Sequence, residues 1–190
     1  MAHEQVRGCS RHRRWIGALR CAALHCDSLL WLLSVQSLPN VQRQWQLPSA
    51  GAGLDALRVV SDASVPRPAR GEVLVRVRAT SINYRDLVLA TTKHQPTISN
   101  VVPLSDGAGD VAAIGEGVTE FKMGDRVTAI LCPDHLSGRD DLLGAGLPPC
   151  LGGMLPGMLA QFHLAKASAL VKIAHHLSYE EAATLACAGQ

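Results

Sequence analysis

One segment of this 190-residue chain restricts its fold more than any other. Residues 73–78 are Val-Leu-Val-Arg-Val-Arg, with a valine at every second position. Because successive side chains of a β-strand point to opposite faces, this alternation predicts a half-buried strand with both arginines facing solvent. A Gly71-Glu72 turn leads into it. The chain is therefore expected to form a sheet with one covered face.

Short apolar runs separated by turn residues occupy much of the remaining chain. They predict further short strands over residues 42–47, 57–60, 101–114, 127–131, 159–164 and 170–173. Two helix starts also stand out: Asn83 can cap a short helix over residues 84–89, and residues 178–181 form a capping box ahead of an alanine-rich helix. So many short strands with so little helix predict a mainly β fold, a barrel or a sandwich.

Composition narrows the classes of protein. The chain is 47% hydrophobic and 18% charged, which is enough to bury a core. Residues 1–48 carry six arginines and two acidic residues, whereas residues 49–190 carry twelve basic and fourteen acidic residues. This mildly acidic body argues against nucleic acid as a partner. Because no run of 18 apolar residues occurs, we expect no membrane-spanning helix.

The six cysteines occur without any Cys-x-x-Cys pair. A chain of this length does not need a disulfide framework to be stable. We therefore expect free thiols and a reducing, cytoplasmic location.

Residues 1–40 differ in character from the rest of the chain. Basic residues precede an apolar stretch, residues 21–38, that Asp27 and other polar residues interrupt. Asp27 argues against a secretory signal peptide, which needs an unbroken apolar core. A mitochondrial presequence, an extension without a docking partner (including one created by a mistaken start site) and a helix packed on the body remain as hypotheses. We expect a poorly ordered extension that contributes little to the fold.

The usual catalytic and metal-binding motifs are weak in this chain. Residues 51–56 and 107–112 match a glycine-rich dinucleotide pattern, but neither is expected to lie between a strand and a helix, where a pyrophosphate binds. Cys132, His135 and Cys150 lack the second close pair of ligands that completes a structural zinc site. His175-His176 is more typical of solvated residues than of metal ligands, and no Gly-x-Ser-x-Gly elbow occurs.

Four consecutive polar residues, Asn83-Tyr84-Arg85-Asp86, come directly after the predicted buried strand. They form either the lining of a cleft or a helix cap with an exposed tyrosine and a solvated ion pair. The residues taken alone leave both interpretations open.

The order of motifs between residues 45 and 189 resembles the N-terminal catalytic domain of the medium-chain dehydrogenase/reductase family. The resembling segments are residues 71–77, 81–86, 102–109, 115–118, 124–127 and 177–183. The resemblance implies a GroES-like, partly open β-barrel with short helices over residues 41–177, preceded by the extension 1–40. Residues 178–190 would begin the helix that leads into the family's cofactor domain, so the barrel would lack its closing strands. We therefore expect this chain alone not to turn over a nicotinamide cofactor.

The resemblance also bears on chemistry. In zinc-dependent members a catalytic cysteine occupies the place of Asn83 and a histidine the place of Ser105, so the resemblance favours the zinc-independent, quinone-oxidoreductase-like branch, without metal. It implies that Asn83 and Tyr84 are catalytic residues. It also implies that NADP or NAD is bound by four residues, Asn83, Tyr84, Asp86 and Thr184.

The expected function is that of the N-terminal part of an NAD(P)H-dependent oxidoreductase. Its expected partners are a small carbonyl, enone or quinone substrate and, in a homodimer, a second copy of the chain. The alternative hypothesis is a non-catalytic barrel that acts as an interaction module through its open edge.

Overall fold

The alternating valine segment lies in an interior strand of a five-stranded antiparallel sheet. The computed structural model describes residues 38–93, 97–135 and 148–189. Its strands are β1 (Val41–Gln46), β2 (Arg58–Ser64), β3 (Glu72–Ser81), β4 (Asp106–Ile114), β5 (Arg126–Ala129), β6 (Phe162–Lys166) and β7 (Leu170–Lys172). The large sheet has the order β6-β3-β4-β5-β7, and β1 pairs with β2 separately. The mainly β, half-barrel fold predicted above is confirmed.

Helices are short and lie at the ends of strands. The Tyr84 helix spans Tyr84–Thr91 directly after β3, and the Tyr179 helix spans Tyr179–Ala182 after β7. Two 3-10 turns, Leu54–Ala56 and Ala167–Ala169, lie between β1 and β2 and between β6 and β7, respectively. The predicted alanine-rich helix is thus a single turn in the described residues. Thr184 and Leu185 then donate their backbone N–H groups three residues back, as in a 3-10 turn.

The core lies against the valine face of β3. Arg76 and Arg78 are exposed as predicted, whereas Leu74, on the same face, is fully buried. The half-barrel therefore covers both faces of β3 near its start and one face near its end. The main buried cluster consists of Val73, Val75, Val111, Val127, Ala129, Leu151, Met158, Ala165, Ala167 and Leu170.

Gly107 and Gly109 lie inside β4 and do not begin a phosphate-binding loop. The β3–β4 register shifts between Val77 and Ala79, opposite Gly109 and its neighbour, so a bulge occurs at this place. A Cβ atom on Gly109 would meet the Arg76 carbonyl oxygen. The glycine is required by this close approach of two strands.

The predicted strand over residues 101–114 begins only at Asp106. Upstream, Val101 forms an isolated bridge to Leu47, and Leu104 has a φ of 67°. That left-handed backbone is rare for a side chain branched like leucine and interrupts the extended conformation. Leu104 instead uses its carbonyl oxygen to accept the Met158 N–H at 2.8 Å.

The prediction of free thiols is wrong for two of the cysteines. Cys132 and Cys150 form a disulfide with a Cα–Cα distance of 4.3 Å. The Leu151 N–H donates to the Leu131 carbonyl oxygen at 3.0 Å and so places the two cysteines side by side, although 18 residues separate them in sequence. Among the described residues Cys187 is free. The argument for a reducing location consequently loses part of its basis.

Some sequence predictions fall on residues that lie outside the described part. These are nearly all of the extension 1–40 and residues 136–147 of the glycine- and proline-rich loop. Within the described ranges, no helix has the length and apolar character needed to cross a membrane.

Candidate functional site

The Tyr84 helix places its first residues beside the end of β3. Asn83, the N-cap residue, has an extended backbone and donates its N–H to Asp86 Oδ2 at 2.8 Å. The Asp86 N–H in turn donates to the Asn83 carbonyl oxygen at 3.0 Å. Because an acidic residue three positions after the cap can accept this N–H, the sequence fixes the geometry of the turn locally.

Two atoms of this turn are buried without a hydrogen-bond partner. They are Nδ2 of Asn83 and Oδ1 of Asp86, and Asp86 as a residue is only 9% exposed. Leaving a buried donor and a buried acceptor unpaired costs about 1–3 kcal/mol each. Folded proteins leave few such atoms unpaired, and strain, a catalytic role, an ordered water or an ion accounts for those that occur.

A second pair of polar residues lies at the start of β4. Ser105 and Asp106 are both fully buried, and Ser105 Oγ donates to Asp106 Oδ1 at 3.0 Å. The other carboxylate oxygen, Oδ2, accepts the backbone N–H of Cys187 at 3.2 Å. Residues that are 81 positions apart in sequence are thereby joined.

The hydrogen-bonded groups at the start of the Tyr84 helix and at the start of β4 also interact electrostatically. Burial raises the pKa of the Asp86 carboxyl, and the charge of Asp106 adds to the rise. The hydrogen bond from Asn83 and the charge of Arg85 oppose it. We call Asn83, Asp86, Ser105, Asp106 and Cys187 the carboxyl–thiol cluster.

Cys187 contributes a protonated thiol rather than a nucleophile. Burial raises the pKa of this thiol, and the negative charge of Asp106 acts in the same direction. A hydrogen bond with Ser105 and the charge of Arg85 oppose the rise without reversing it. Arg85 itself is held in place because it donates to the Leu151 carbonyl oxygen at 2.9 Å. Since the thiolate is the reactive form, a raised pKa makes Cys187 a poor attacking group near neutral pH.

The structure brings together some of the predicted site residues and leaves others apart. Asn83 and Asp86 contact each other within the cluster. Tyr84 is 81% exposed. Thr184 is exposed, and its hydroxyl donates to the Glu181 carbonyl oxygen at 2.8 Å. The roles assigned to these four residues stay predictions.

Sequence reasoning missed Asp106 and Cys187, and it considered Ser105 only as a place without a metal ligand. Asp106 carried no clear signal, because an aspartate is mostly exposed and is fully buried only where it has partners. Cys187 carried no signal either, because its contact with Asp106 depends on the tertiary fold.

The donor set does not fit zinc. Within the described residues no three histidine, cysteine, aspartate or glutamate side chains are close enough to hold a metal ion. Zinc requires several thiolate, imidazole or carboxylate ligands in tetrahedral positions. The cluster offers one thiol and two carboxylates beside an amide and a hydroxyl. The Asp106 carboxylate already accepts two hydrogen bonds, and the Asp86 carboxylate accepts one.

The fit to a nicotinamide cofactor is partial. The unpaired Asn83 amide N–H and Asp86 oxygen match a small polar group that both donates and accepts. By contrast, the stretch 107–112 lies inside β4, and the stretch 51–56 ends in a three-residue 3-10 turn. Neither stretch has the strand–helix junction that binds a pyrophosphate.

The described part of the chain is thus a half-barrel of antiparallel strands with a polar cluster at one end of β3 and β4. Residues 69–175 match the model of the alcohol dehydrogenase GroES-like domain. The chain therefore belongs to this family, and the resemblance to medium-chain dehydrogenases/reductases is confirmed.

Known proteins of this kind are longer than the chain. A zinc-type alcohol dehydrogenase-like protein of Schizosaccharomyces pombe is 37% identical over 139 residues, which are 72% of this chain and 39% of that protein. A chloroplast envelope quinone oxidoreductase homolog of Arabidopsis thaliana is 33% identical over 147 residues, 76% of this chain and 38% of that protein. The chain thus spans about two fifths of these curated relatives.

Solved structures agree with the fold. A thermostable alcohol dehydrogenase from Pyrobaculum aerophilum superimposes with a TM-score of 0.63 at 27% identity, over 76% of this chain and 44% of that one.

Proposed function

We propose that this chain supplies the substrate-facing barrel of an NAD(P)H-dependent oxidoreductase that works without zinc. The observation that carries the proposal is the pair of buried, unpartnered atoms at the start of the Tyr84 helix, Asn83 Nδ2 and Asp86 Oδ1. A family whose relatives include an alcohol dehydrogenase-like protein and a quinone oxidoreductase homolog supports the reaction class.

The role proposed for Asn83 follows from its chemistry. Its amide can donate a hydrogen bond to the oxygen of a carbonyl, enone or quinone as negative charge develops there. Asp86 holds the Asn83 backbone through the 2.8 Å bond and so fixes the position from which the amide side chain extends. NAD(P)H, when bound, supplies the hydride, and a proton from water completes the reduction of the substrate.

Tyr84 and Thr184 complete the proposed set. Tyr84 is exposed beside Asn83 and can donate to the same substrate or to the cofactor. Thr184 lies on the terminal segment that brings Cys187 to the cluster. The absence of zinc is proposed from the donor set, although the S. pombe relative is named as a zinc-type protein.

The test joins this chain, after Gln190, to the remaining part of the S. pombe relative. Reduction of an enone by NADPH and by NADH is then measured for the wild type and for Asn83→Ala. We expect Asn83→Ala to lower kcat/KM about tenfold, because one hydrogen bond that strengthens in the transition state is lost. Asn40→Ala, which removes an exposed asparagine that accepts from Arg67, is the matched control.

Two results would contradict the proposal. One is equal turnover of the wild type and Asn83→Ala. The other is one tightly held zinc ion per joined chain, measured by elemental analysis. We also expect the 190-residue chain on its own to show no saturable NAD(P)H binding below millimolar concentration, because a few hydrogen bonds do not offset the ordering of a large cofactor.

An interaction module is the second candidate function, and one observation favours it. Trp45 and Val59, a cross-strand pair of the β1–β2 hairpin, are 41% and 49% exposed. Exposed aromatic and branched side chains side by side are typical of contact surfaces. This candidate predicts a concentration-dependent dimer in sedimentation that Trp45→Ser abolishes, with no effect of Asn83→Ala on any function.

A further inference from the structure

The residues after β7 are attached to the sheet by a group of four side chains. Tyr179 donates its hydroxyl to Asp110 Oδ1 in the middle of β4. The Arg78 Nε of β3 donates to the other oxygen of the same carboxylate at 2.6 Å. Asp110 therefore joins two strands and the start of the Tyr179 helix.

Arg126 completes the attachment from β5. Its guanidinium lies over the Tyr179 ring, 4.5 Å from the centroid, and donates to the Leu177 carbonyl oxygen at 2.5 Å. The ring is thus held on its face by a cation and at its hydroxyl by an anion. We call Arg78, Asp110, Arg126 and Tyr179 the tyrosine clasp.

The charges of the clasp support one another. Although burial raises the pKa of Asp110, the hydrogen bonds from Tyr179 and Arg78 outweigh it and lower the pKa overall. Burial and the neighbouring Asp110 together raise the pKa of Tyr179. The pair is consequently an ionised carboxylate and a neutral phenol, which is the combination that a hydroxyl-to-carboxylate bond needs.

The tyrosine clasp and the carboxyl–thiol cluster each include one aspartate of strand β4. Asp110 binds Tyr179, and Asp106, the first residue of β4, binds the Cys187 N–H at 3.2 Å. Between these two attachments Ala182 and Ala183 are fully buried against Ala108. The terminal segment is therefore fixed to β4 at both ends of a small apolar contact.

The two attachments differ in strength. The Tyr179 attachment combines a charge-assisted hydrogen bond with a cation–π contact. The Cys187 attachment is one backbone bond, and two turns with the poorer geometry of 3-10 hydrogen bonds precede it. The hydrogen bond between Cys187 and Asp106 should therefore depend on the one between Tyr179 and Asp110.

We propose that Tyr179 is a positioning residue, whose hydroxyl bond to Asp110 keeps Cys187 seated on Asp106 inside the carboxyl–thiol cluster. The inference rests on the proposed function only in treating this cluster as the ligand site. The positioning itself is a property of the chain, and it can be measured without any turnover.

The experiment compares the wild type with Tyr179→Phe. Phenylalanine keeps the ring under Arg126 and against Ala108 and removes only the hydroxyl. The rate at which iodoacetamide alkylates Cys187 is followed by peptide mass spectrometry between pH 6 and pH 10. We expect roughly tenfold faster alkylation in Tyr179→Phe, with a thiol pKa closer to the ordinary value, because opening of the segment exposes the thiol.

A matched control and a second readout separate positioning from general instability. Glu116→Gln removes the carboxylate of another ion pair, that with Arg70, and should leave the Cys187 rate unchanged. Amide hydrogen exchange at Val75 and Val127 in the core should also be unchanged in Tyr179→Phe. Asp110→Asn, which keeps an oxygen acceptor but loses the charge, should give a smaller acceleration than Tyr179→Phe.

The proposal is overturned if Cys187 reacts at the same rate in Tyr179→Phe and in the wild type. It is also overturned if the core amides exchange faster to the same extent as the thiol, since the tyrosine would then stabilise the whole domain. Neither result would bear on hydride transfer by the joined enzyme, which tests Asn83.

Discussion

The described part of the chain contains two helix starts with the same local design and different outcomes. At the Tyr84 helix the Asn83 N–H donates to the carboxylate of Asp86 at 2.8 Å, and at the Tyr179 helix the Ser178 N–H donates to that of Glu181 at 2.7 Å. At the second start the Ser178 Oγ accepts the Glu181 N–H at 3.1 Å. At the first start the Asn83 side chain faces the Asp86 N–H in a capping box but makes no full cap hydrogen bond.

The difference lies in what surrounds each carboxylate. Glu181 is exposed, so water can satisfy its remaining lone pairs. Asp86 is buried, with Oδ1 unpaired beside the unpaired Nδ2 of Asn83. A capping signature therefore identifies a helix start, and burial decides whether its polar atoms serve only the helix or remain available to a ligand.

The two helix starts can be compared by measuring the unfolding free energy as a function of pH. The protonation of His163 has a larger effect on that free energy and must be removed first. Burial lowers the pKa of His163 from 6.5 to about 4. Its protonation therefore favours the unfolded chain, and stability that is complete above pH 6.5 is lost as the pH falls towards 4. The expected loss in unfolding free energy is about 3 kcal/mol.

Urea unfolding at several pH values checks this expectation. His163→Gln, whose amide can still donate to the Gly157 carbonyl oxygen, should remove most of the loss. His176→Gln replaces an exposed histidine, so this variant should lose as much stability in acid as the wild type does. A wild-type stability that stays constant between pH 7 and pH 4 would contradict the prediction.

Removal of the two cap side chains should have different effects on the unfolding free energy. Ser178→Ala should lower the unfolding free energy by about 1 kcal/mol, because a closed capping box is broken. Asn83→Ala should cost less, since the Asn83 side chain makes no full cap hydrogen bond and its Nδ2 has no partner. Thermal unfolding of both variants measures the difference, and equal losses would show that Asn83 is an ordinary cap.

The smallest effect is expected from neutralising the buried carboxylate. Burial raises the pKa of Asp86, so the folded chain holds its proton to a higher pH than the unfolded chain does. This contribution stabilises the fold in acid and is lost as the pH rises through the folded pKa. Asp86→Asn in the His163→Gln background should therefore be more stable than its parent at pH 7.

The same comparison in acid completes that test. Below the pKa of an aspartate in the unfolded chain, the Asp86 carboxyl is protonated in both the folded and the unfolded state. The stability advantage of Asp86→Asn should therefore vanish there. Glu181→Gln, the matched change at the exposed helix start, should show no such gain at pH 7. A gain of the same size in both variants would point to net charge rather than to burial.

Local patterns were sufficient for much of the fold. The alternation at residues 73–78 identified β3. The cap residue Asn83 and the capping box at residues 178–181 identified the two helix starts. These signals act over a few residues, where backbone geometry alone decides the pairing of groups.

Long-range contacts were the part that the sequence did not reveal. The extended stretch expected upstream of Asp106 is broken at Leu104, because Gly152 and Gly157 approach its backbone from a distant part of the chain. The contact of Cys187 with Asp106 depends on the tyrosine clasp, which joins residues from three strands. No periodicity encodes such meetings, since each depends on the finished packing.

The bond between Cys132 and Cys150 has a topological consequence. It converts the intervening stretch into a closed covalent ring, so one peptide-bond cleavage there opens the ring without dividing the molecule. The nicked protein would gain the mass of one water and migrate as a single species until a reducing agent released two fragments. Limited proteolysis analysed with and without reductant would therefore locate this link without any measurement of thiols.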